Sequence, residues 1–136
     1  MARKPVILTV DDREDVRELV KGLLTPHSLD VAEASNGEEA LLLLQLGLPD
    51  LIILDIMMPG IGGIETLKRI RELYGDTLPV FILTARHTED TRLECMEAGA
   101  DKVFWKPIDV ERFMDGVKEV ILGKYGKKDR PTPPKE

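Results

Sequence analysis

Cysteine is almost missing from this chain. The single one, Cys95, has no partner for an internal disulfide, which fits a reducing cytosol. Long apolar runs are also missing. None approaches the roughly 20 residues that span a bilayer. The start, Met1-Ala2-Arg3-Lys4-Pro5, leads into no long apolar segment before Asp11, so no signal peptide is expected and the setting reads as cytoplasmic. Positive charge is in deficit. Nineteen Lys and Arg face 25 Asp and Glu, for a net charge of −6, which argues against direct nucleic-acid binding. No internal repeat is seen along the chain.

What is present suits one soluble domain. The chain has 136 residues, 43% hydrophobic and 32% charged, enough for a core of its own. The charge is unevenly spread. Residues 123–136 hold five Lys or Arg and two Asp or Glu, leaving nine excess negative charges on residues 1–122. That last segment, from Lys124 to Pro134, is polar, rich in proline and without periodicity. It is expected to be a flexible tail or linker after a domain spanning 1–122.

Short apolar runs alternate with helical patterns. The strands are expected at about 5–10, 30–34, 51–55, 79–83 and 102–105. Helices are expected at about 12–24, 40–46, 64–74, 88–98 and from Asp109 to about Leu122. The first helix carries Val16, Leu19, Val20, Leu23 and Leu24 at helical spacing and stops at Thr25-Pro26, because a residue before proline avoids the α region. Ser35 and Glu38 read as a capping box for the second helix. Its Leu41–Leu44 run is apolar all round and is expected to be buried. Gly99 reads as a left-handed terminator of the fourth helix. Asp109 reads as the cap of the fifth. The second strand, Asp30-Val31-Ala32-Glu33-Ala34, has the polarity of an edge. Five strands alternating with five helices give a doubly wound parallel sheet in a three-layer αβα sandwich.

The chemistry collects at the strand ends. Asp11 and Asp12 follow the first apolar run, Asp55 the third, Thr84 the fourth and Lys106 the fifth. Side chains at the C-terminal ends of parallel strands share one edge of the sheet, where open α/β folds place their sites. Three carboxylates crowded together repel one another and raise each other's pKa. A hard divalent cation with oxygen ligands removes that conflict. Lys106 adds a point charge and Thr84 a hydroxyl donor. Phosphoryl transfer to an aspartate depends on just such positioning and charge neutralisation. Taken singly, Asp11-Asp12 reads equally as first-turn charge on a helix, Thr84 as a strand-end hydroxyl and Lys106 as a surface charge. Their joint occurrence on successive strand ends favours a site.

The chain resembles the receiver domain of response regulators in two-component signalling, of the chemotaxis-regulator kind. The matching pieces are Val10-Asp11-Asp12, Asn36-Gly37-Glu38-Glu39-Ala40, and Pro49-Asp50-Leu51-Ile52-Ile53-Leu54-Asp55-Ile56-Met57-Met58-Pro59-Gly60 with Gly63. Beyond them come Pro79-Val80-Phe81-Ile82-Leu83-Thr84-Ala85, Ala98-Gly99-Ala100-Asp101 and Lys106-Pro107. The resemblance covers 5–122 and implies strand order 2-1-3-4-5. It implies a signalling switch, not a conventional enzyme, that catalyses its own phosphorylation and autodephosphorylation. Asp55 would accept the phosphoryl group from a sensor histidine kinase or a histidine phosphotransferase. Asp12, Asp55 and the carbonyl of Met57 would bind Mg²⁺ or Mn²⁺, with Asp11 acting through water and charge. Thr84 would move to the phosphoryl group, Lys106 would pair with an acidic oxygen, and the Lys106-Pro107 bond would be cis. Output would pass through the face of the fourth helix, fifth strand and fifth helix to an effector domain or protein. The chain is expected to be a monomer or weak homodimer.

Two departures stand out. The family usually has an aromatic residue three before the lysine, where this chain has Val103, and its aromatics move to Phe104 and Trp105. Thr84 is still expected to move, with Val103 or Trp105 transmitting the change. Gly116 replaces an arginine found in many winged-helix regulators, which weakens the case for their symmetric dimer. Met57 and Arg86 occupy the two positions that tune dephosphorylation, and bulky Met57 is expected to slow attacking water. Cys95 reads as a packing residue, and His27 and His87 lack a phosphotransfer-like helical context, though His87, at the start of the loop after Thr84-Ala85-Arg86, is placed to influence the site. The alternative function is a receiver-like binding module that works without phosphorylation. A haloacid-dehalogenase-type phosphatase needs a second aspartate where Met57 stands. A flavodoxin-like cofactor binder needs a phosphate loop where this chain has Asp11-Asp12-Arg13-Glu14.

Overall fold

Apolar side chains on both faces of every central strand dictate the architecture. A computed structural model describes residues 3–123. The strands are β1 (Val6–Val10), β2 (Asp30–Ala34), β3 (Leu51–Leu54), β4 (Val80–Thr84) and β5 (Lys102–Trp105). The helices are α1 (Glu14–Leu24), α2 (Gly37–Leu46), α3 (Gly62–Tyr74), α4 (Glu89–Glu97) and α5 (Val110–Ile121). The sheet is parallel throughout and ordered β2-β1-β3-β4-β5, the expected doubly wound αβα sandwich.

Strand alternation sorts the core into two halves. Leu8, Val10, Ile52, Leu54, Val80 and Ile82 face one way and pack with Ala40, Leu44, Leu67, Ile70 and Cys95 of α2, α3 and α4. Ile7, Leu51, Ile53, Phe81 and Leu83 face the other way, onto Val20, Leu24, Phe113 and Val117 of α1 and α5. Strands buried on both faces read as unbroken apolar runs, as these do.

The end of the sheet remote from the strand C-termini is bolted by Arg71. It donates to the carbonyls of Gly99 (2.9 and 2.8 Å) and Leu78 (2.6 Å) and to Asp101 Oδ2 (3.0 Å). Buried Asp101 also accepts from Val80 N at 2.8 Å. This network ties α3 to the starts of β4 and β5 and leaves the opposite edge for chemistry.

Several expectations need correction. Asn36, not Ser35, caps α2: its side chain accepts from Glu39 N at 2.8 Å. Ser35 Oγ instead donates to the Glu39 carboxylate at 2.8 Å. Helix α1 starts at Glu14, because Arg13 is extended (φ −95°, ψ 116°). After Leu24 the chain makes a 3-10 turn, Thr25–His27, holding Pro26. The leucine run of α2 is only partly covered: Leu44 is buried, Leu41 and Leu43 lean on the core, and Leu42 is 64% exposed. A helix laid on a sheet cannot bury its whole circumference. The caps at Asp109 and the left-handed Gly99 (φ +104°) are as expected. The tail expected at 123–136 lies, beyond Gly123, outside the described residues. Among the described residues no helix is long and apolar enough to cross a membrane.

Candidate functional site

The sheet ladder itself delivers the site residues. Each sits one step past or at the end of its strand and is still held by a neighbouring strand. Asp11 N donates to Ala34 O (3.1 Å), Asp55 N to Val10 O (3.0 Å) and Lys106 N to Thr84 O (2.8 Å). The backbone beneath Asp11, Asp55 and Lys106 is therefore fixed before any side chain interacts. Arg17 adds a brace, its guanidinium donating to Asp11 O at 2.7 Å and to Glu33 at 3.2 Å.

Asp11, Asp12 and Asp55 converge, offering one carboxylate oxygen each within 4.8 Å of the others. Asp11 and Asp55 are buried and Asp12 is exposed. Asp11 accepts Arg13 N on Oδ1 (3.0 Å) and Lys106 Nζ on Oδ2 (2.7 Å). Asp55 accepts Met57 N on Oδ1 (3.2 Å) and Lys106 Nζ on Oδ2 (3.4 Å). One ammonium thus serves two buried carboxylates, gripping Asp11 and only brushing Asp55.

Burial, opposed by the Met57 amide and reinforced by the charge of Asp11, holds the Asp55 carboxyl above the ordinary carboxylate range. Lys106 pulls the other way but does not cancel it. The pocket is therefore short of positive charge. Its donor set is all hard oxygen, with no thiol or imidazole in the cluster, which fits Mg²⁺ or Mn²⁺ rather than a softer metal.

Thr84 is fully buried at the end of β4, and its Oγ1 accepts from Arg86 N at 3.3 Å. Met57 lies two residues after Asp55, half-exposed, on the loop that leads into α3. The Lys106-Pro107 bond is cis, as expected. Asp11, Asp12, Asp55, Thr84, Lys106 and Met57 thus stand on the loops and strand ends of one sheet edge. Cys95 lies apart in the core, where burial and the nearby Glu94 push its thiol up to about 11, so it stays an inert packing group.

Sequence reasoning missed two contributors and only partly foresaw a third. Arg17 carries no signal beyond a cation on a helix, and only the tertiary fold turns it toward Asp11 O. Gly63 was seen as part of a motif, but not as the point where α3 touches the Asp55 backbone: a Cβ there would overlap Asp55 O and Ile56 Cα. His87, expected to bear on the site as the start of the loop after Thr84-Ala85-Arg86, does so through its Nε2, 2.6 Å from Lys106 O.

Comparison with known proteins finds similar chains. The family model described as "Response regulator receiver domain" matches residues 7–118. The response regulator MprA of Mycolicibacterium vanbaalenii is 36% identical over 115 residues, covering 85% of this chain and 49% of that protein. The transcriptional regulatory protein AfsQ1 of Streptomyces coelicolor is 40% identical over 104 residues, covering 76% of this chain and 45% of that protein. This chain therefore spans about half the length of those relatives. Among solved structures, the response regulator TrrA of Thermotoga maritima in complex with Mg²⁺-BeF superposes with a TM-score of 0.77. It is 37% identical and covers 85% of this chain and 98% of that one.

Proposed function

The chain belongs to the response regulator receiver domain family, and from that premise we propose that Asp55 is its phosphoryl acceptor. As a member it is a phosphoacceptor switch of two-component signalling rather than a conventional enzyme. The observation that carries the residue assignment is the convergence of Asp11, Asp12, Asp55 and Lys106 at one sheet edge. The reaction joins a carboxylate oxygen of Asp55 to phosphorus as the bond from phosphorus to the donor's imidazole nitrogen breaks. The freed imidazole takes a proton from water. The donor is a phosphohistidine of a sensor histidine kinase or histidine phosphotransferase.

Asp12, Asp55 and the Met57 carbonyl are the groups to hold Mg²⁺ or Mn²⁺, with Asp11 acting through water and charge. When bound, the cation supplies the positive charge that lets anionic oxygens approach one another. Lys106 balances the acidic oxygens, and the Thr84 hydroxyl donates to the phosphoryl group. Half-exposed Met57 hinders water that would attack the acyl phosphate and so prolongs its life. Output passes through α4, β5 and α5. A groove of about 370 Å³ between them, lined among others by Arg92, Met96, Phe104, Arg112 and Gly116, supports that reading. Gly116 leaves that face without the arginine of many dimeric relatives, which favours a monomer or weak homodimer. A cytoplasmic setting follows from the kinase partner.

Intact-mass analysis after incubation with Mg²⁺ and a small phosphodonor tests the assignment. The expected result is a gain of one phosphoryl group that needs Mg²⁺, survives acid, is lost in base and vanishes in Asp55→Asn. No gain under any condition would instead favour a binding module that works without phosphorylation.

A further inference from the structure

The loop after β4 and the turn after β5 are joined by one side chain. His87 Nε2 lies 2.6 Å from Lys106 O. A carbonyl oxygen only accepts, so Nε2 carries the hydrogen and donates. Lys106 N already donates to Thr84 O at 2.8 Å. Both peptide groups flanking the Lys106 Cα are therefore held from the β4 side, one by the strand and one by His87. The His87 ring also lies against Trp105, centroids 5.2 Å apart and planes tilted by 37°. Trp105 is the only tryptophan in the chain.

The same loop holds the Thr84 hydroxyl. Thr84 Oγ1 accepts from Arg86 N at 3.3 Å, and Arg86 immediately precedes His87. A Thr84 side chain that turns to a phosphoryl group on Asp55 gives up that bond and releases the turn at Arg86. His87 is then drawn off Lys106 O and off Trp105. Val103, at the position where relatives carry an aromatic, packs instead into the core shared with α2, α3 and α4. The ring that reports the change on this face is then Trp105, two residues further along the strand.

We propose that His87 is a positioning residue that latches the unphosphorylated arrangement. It clamps the Lys106 backbone and stacks on Trp105 until Thr84 is recruited to the phosphoryl group. This inference rests on Asp55 being the acceptor. The latch is a hydrogen bond and a ring contact on an exposed residue, so its release tightens binding of a phosphoryl mimic by about threefold to tenfold.

The test is titration of the full chain with beryllofluoride at fixed Mg²⁺, followed by Trp105 emission and by the ¹⁵N signals of the His87 ring. Wild type is expected to change Trp105 emission on binding and to lose the protected Nε2–H signal. His87→Ala is expected to bind about threefold to tenfold more tightly, with the emission already near its bound value. His87→Gln keeps a donor for Lys106 O but no ring. It is expected to restore affinity toward wild type without restoring the emission change. Unchanged or weaker binding by His87→Ala overturns the latch, as does an Nε2–H signal that persists in the complex. Failure of wild type itself to bind beryllofluoride is a separate outcome that overturns the Asp55 assignment and the latch with it.

Discussion

Asp55 is a residue whose burial works against its charge. Its carboxyl is held above the ordinary value of 3.8 chiefly by desolvation. The native state thus keeps a proton over a pH range where the unfolded chain has already lost it. Stability from this group is fully present below 3.8 and declines as pH rises from there through the raised native value. Asp55→Asn removes the charge and keeps the shape, while Lys106 retains its 2.7 Å bond to Asp11. In metal-free buffer the variant is expected to unfold at higher urea than wild type at pH 7, with the gap closing as pH falls through the raised native value and gone below 3.8. Urea melts of both proteins across that range check it. A gap that is constant with pH would mean that the charge of Asp55 is not the cause.

At the scale of elements, the approach of α3 to the loop after β3 sets where Asp55 points. Gly63 N donates to Ile56 O at 3.1 Å, and a Cβ at Gly63 would overlap backbone atoms of Asp55 and Ile56. Backbone cannot rotate aside as a side chain does. Gly63→Ala is expected to destabilise by about 2–3 kcal/mol through overpacking and to slow phosphorylation of Asp55. Gly22, inside α1, has nothing within 4 Å of its would-be Cβ. Gly22→Ala is expected to stabilise by about 0.8 kcal/mol, the ordinary helix preference. Urea melts of the two variants distinguish crowding from propensity. The strands and the five strand-end polar groups were legible because double-sided burial writes unbroken apolar runs that stop at the chemistry. The cap of α2 was not, because Ser35…Glu38 and Asn36…Glu39 both satisfy the capping pattern, and only the backbone entering the helix selects Asn36. Nor was the turn of Arg17 to Asp11 O, which depends on how α1 leaves β1, or that of His87 to Lys106 O, which joins two separate loops.

For the whole molecule, the acidic edge is expected to couple folding to cation binding. Excess negative charge lies on residues 1–122, and Asp11, Asp12 and Asp55 come within ligand distance of one another only in the native state. The unfolded chain has no such site. A cation bound by the native state alone stabilises it by mass action, by about 2.7 kcal/mol at a hundred times its Kd. Mg²⁺ is therefore expected to raise the unfolding midpoint of wild type continuously with concentration. Asp55→Asn lacks one of the three carboxylates and should respond far less. The two proteins then exchange rank: the variant is the more stable without metal, where the buried charge is a burden, and wild type is the more stable at saturating Mg²⁺, where that charge is a ligand. Denaturant melts along a Mg²⁺ series locate the crossing. A wild-type midpoint indifferent to Mg²⁺ would remove the cation from the site. Parallel shifts in both proteins would place the cation elsewhere on the acidic surface. A crossing ties the destabilised carboxylate and the metal to the same residue.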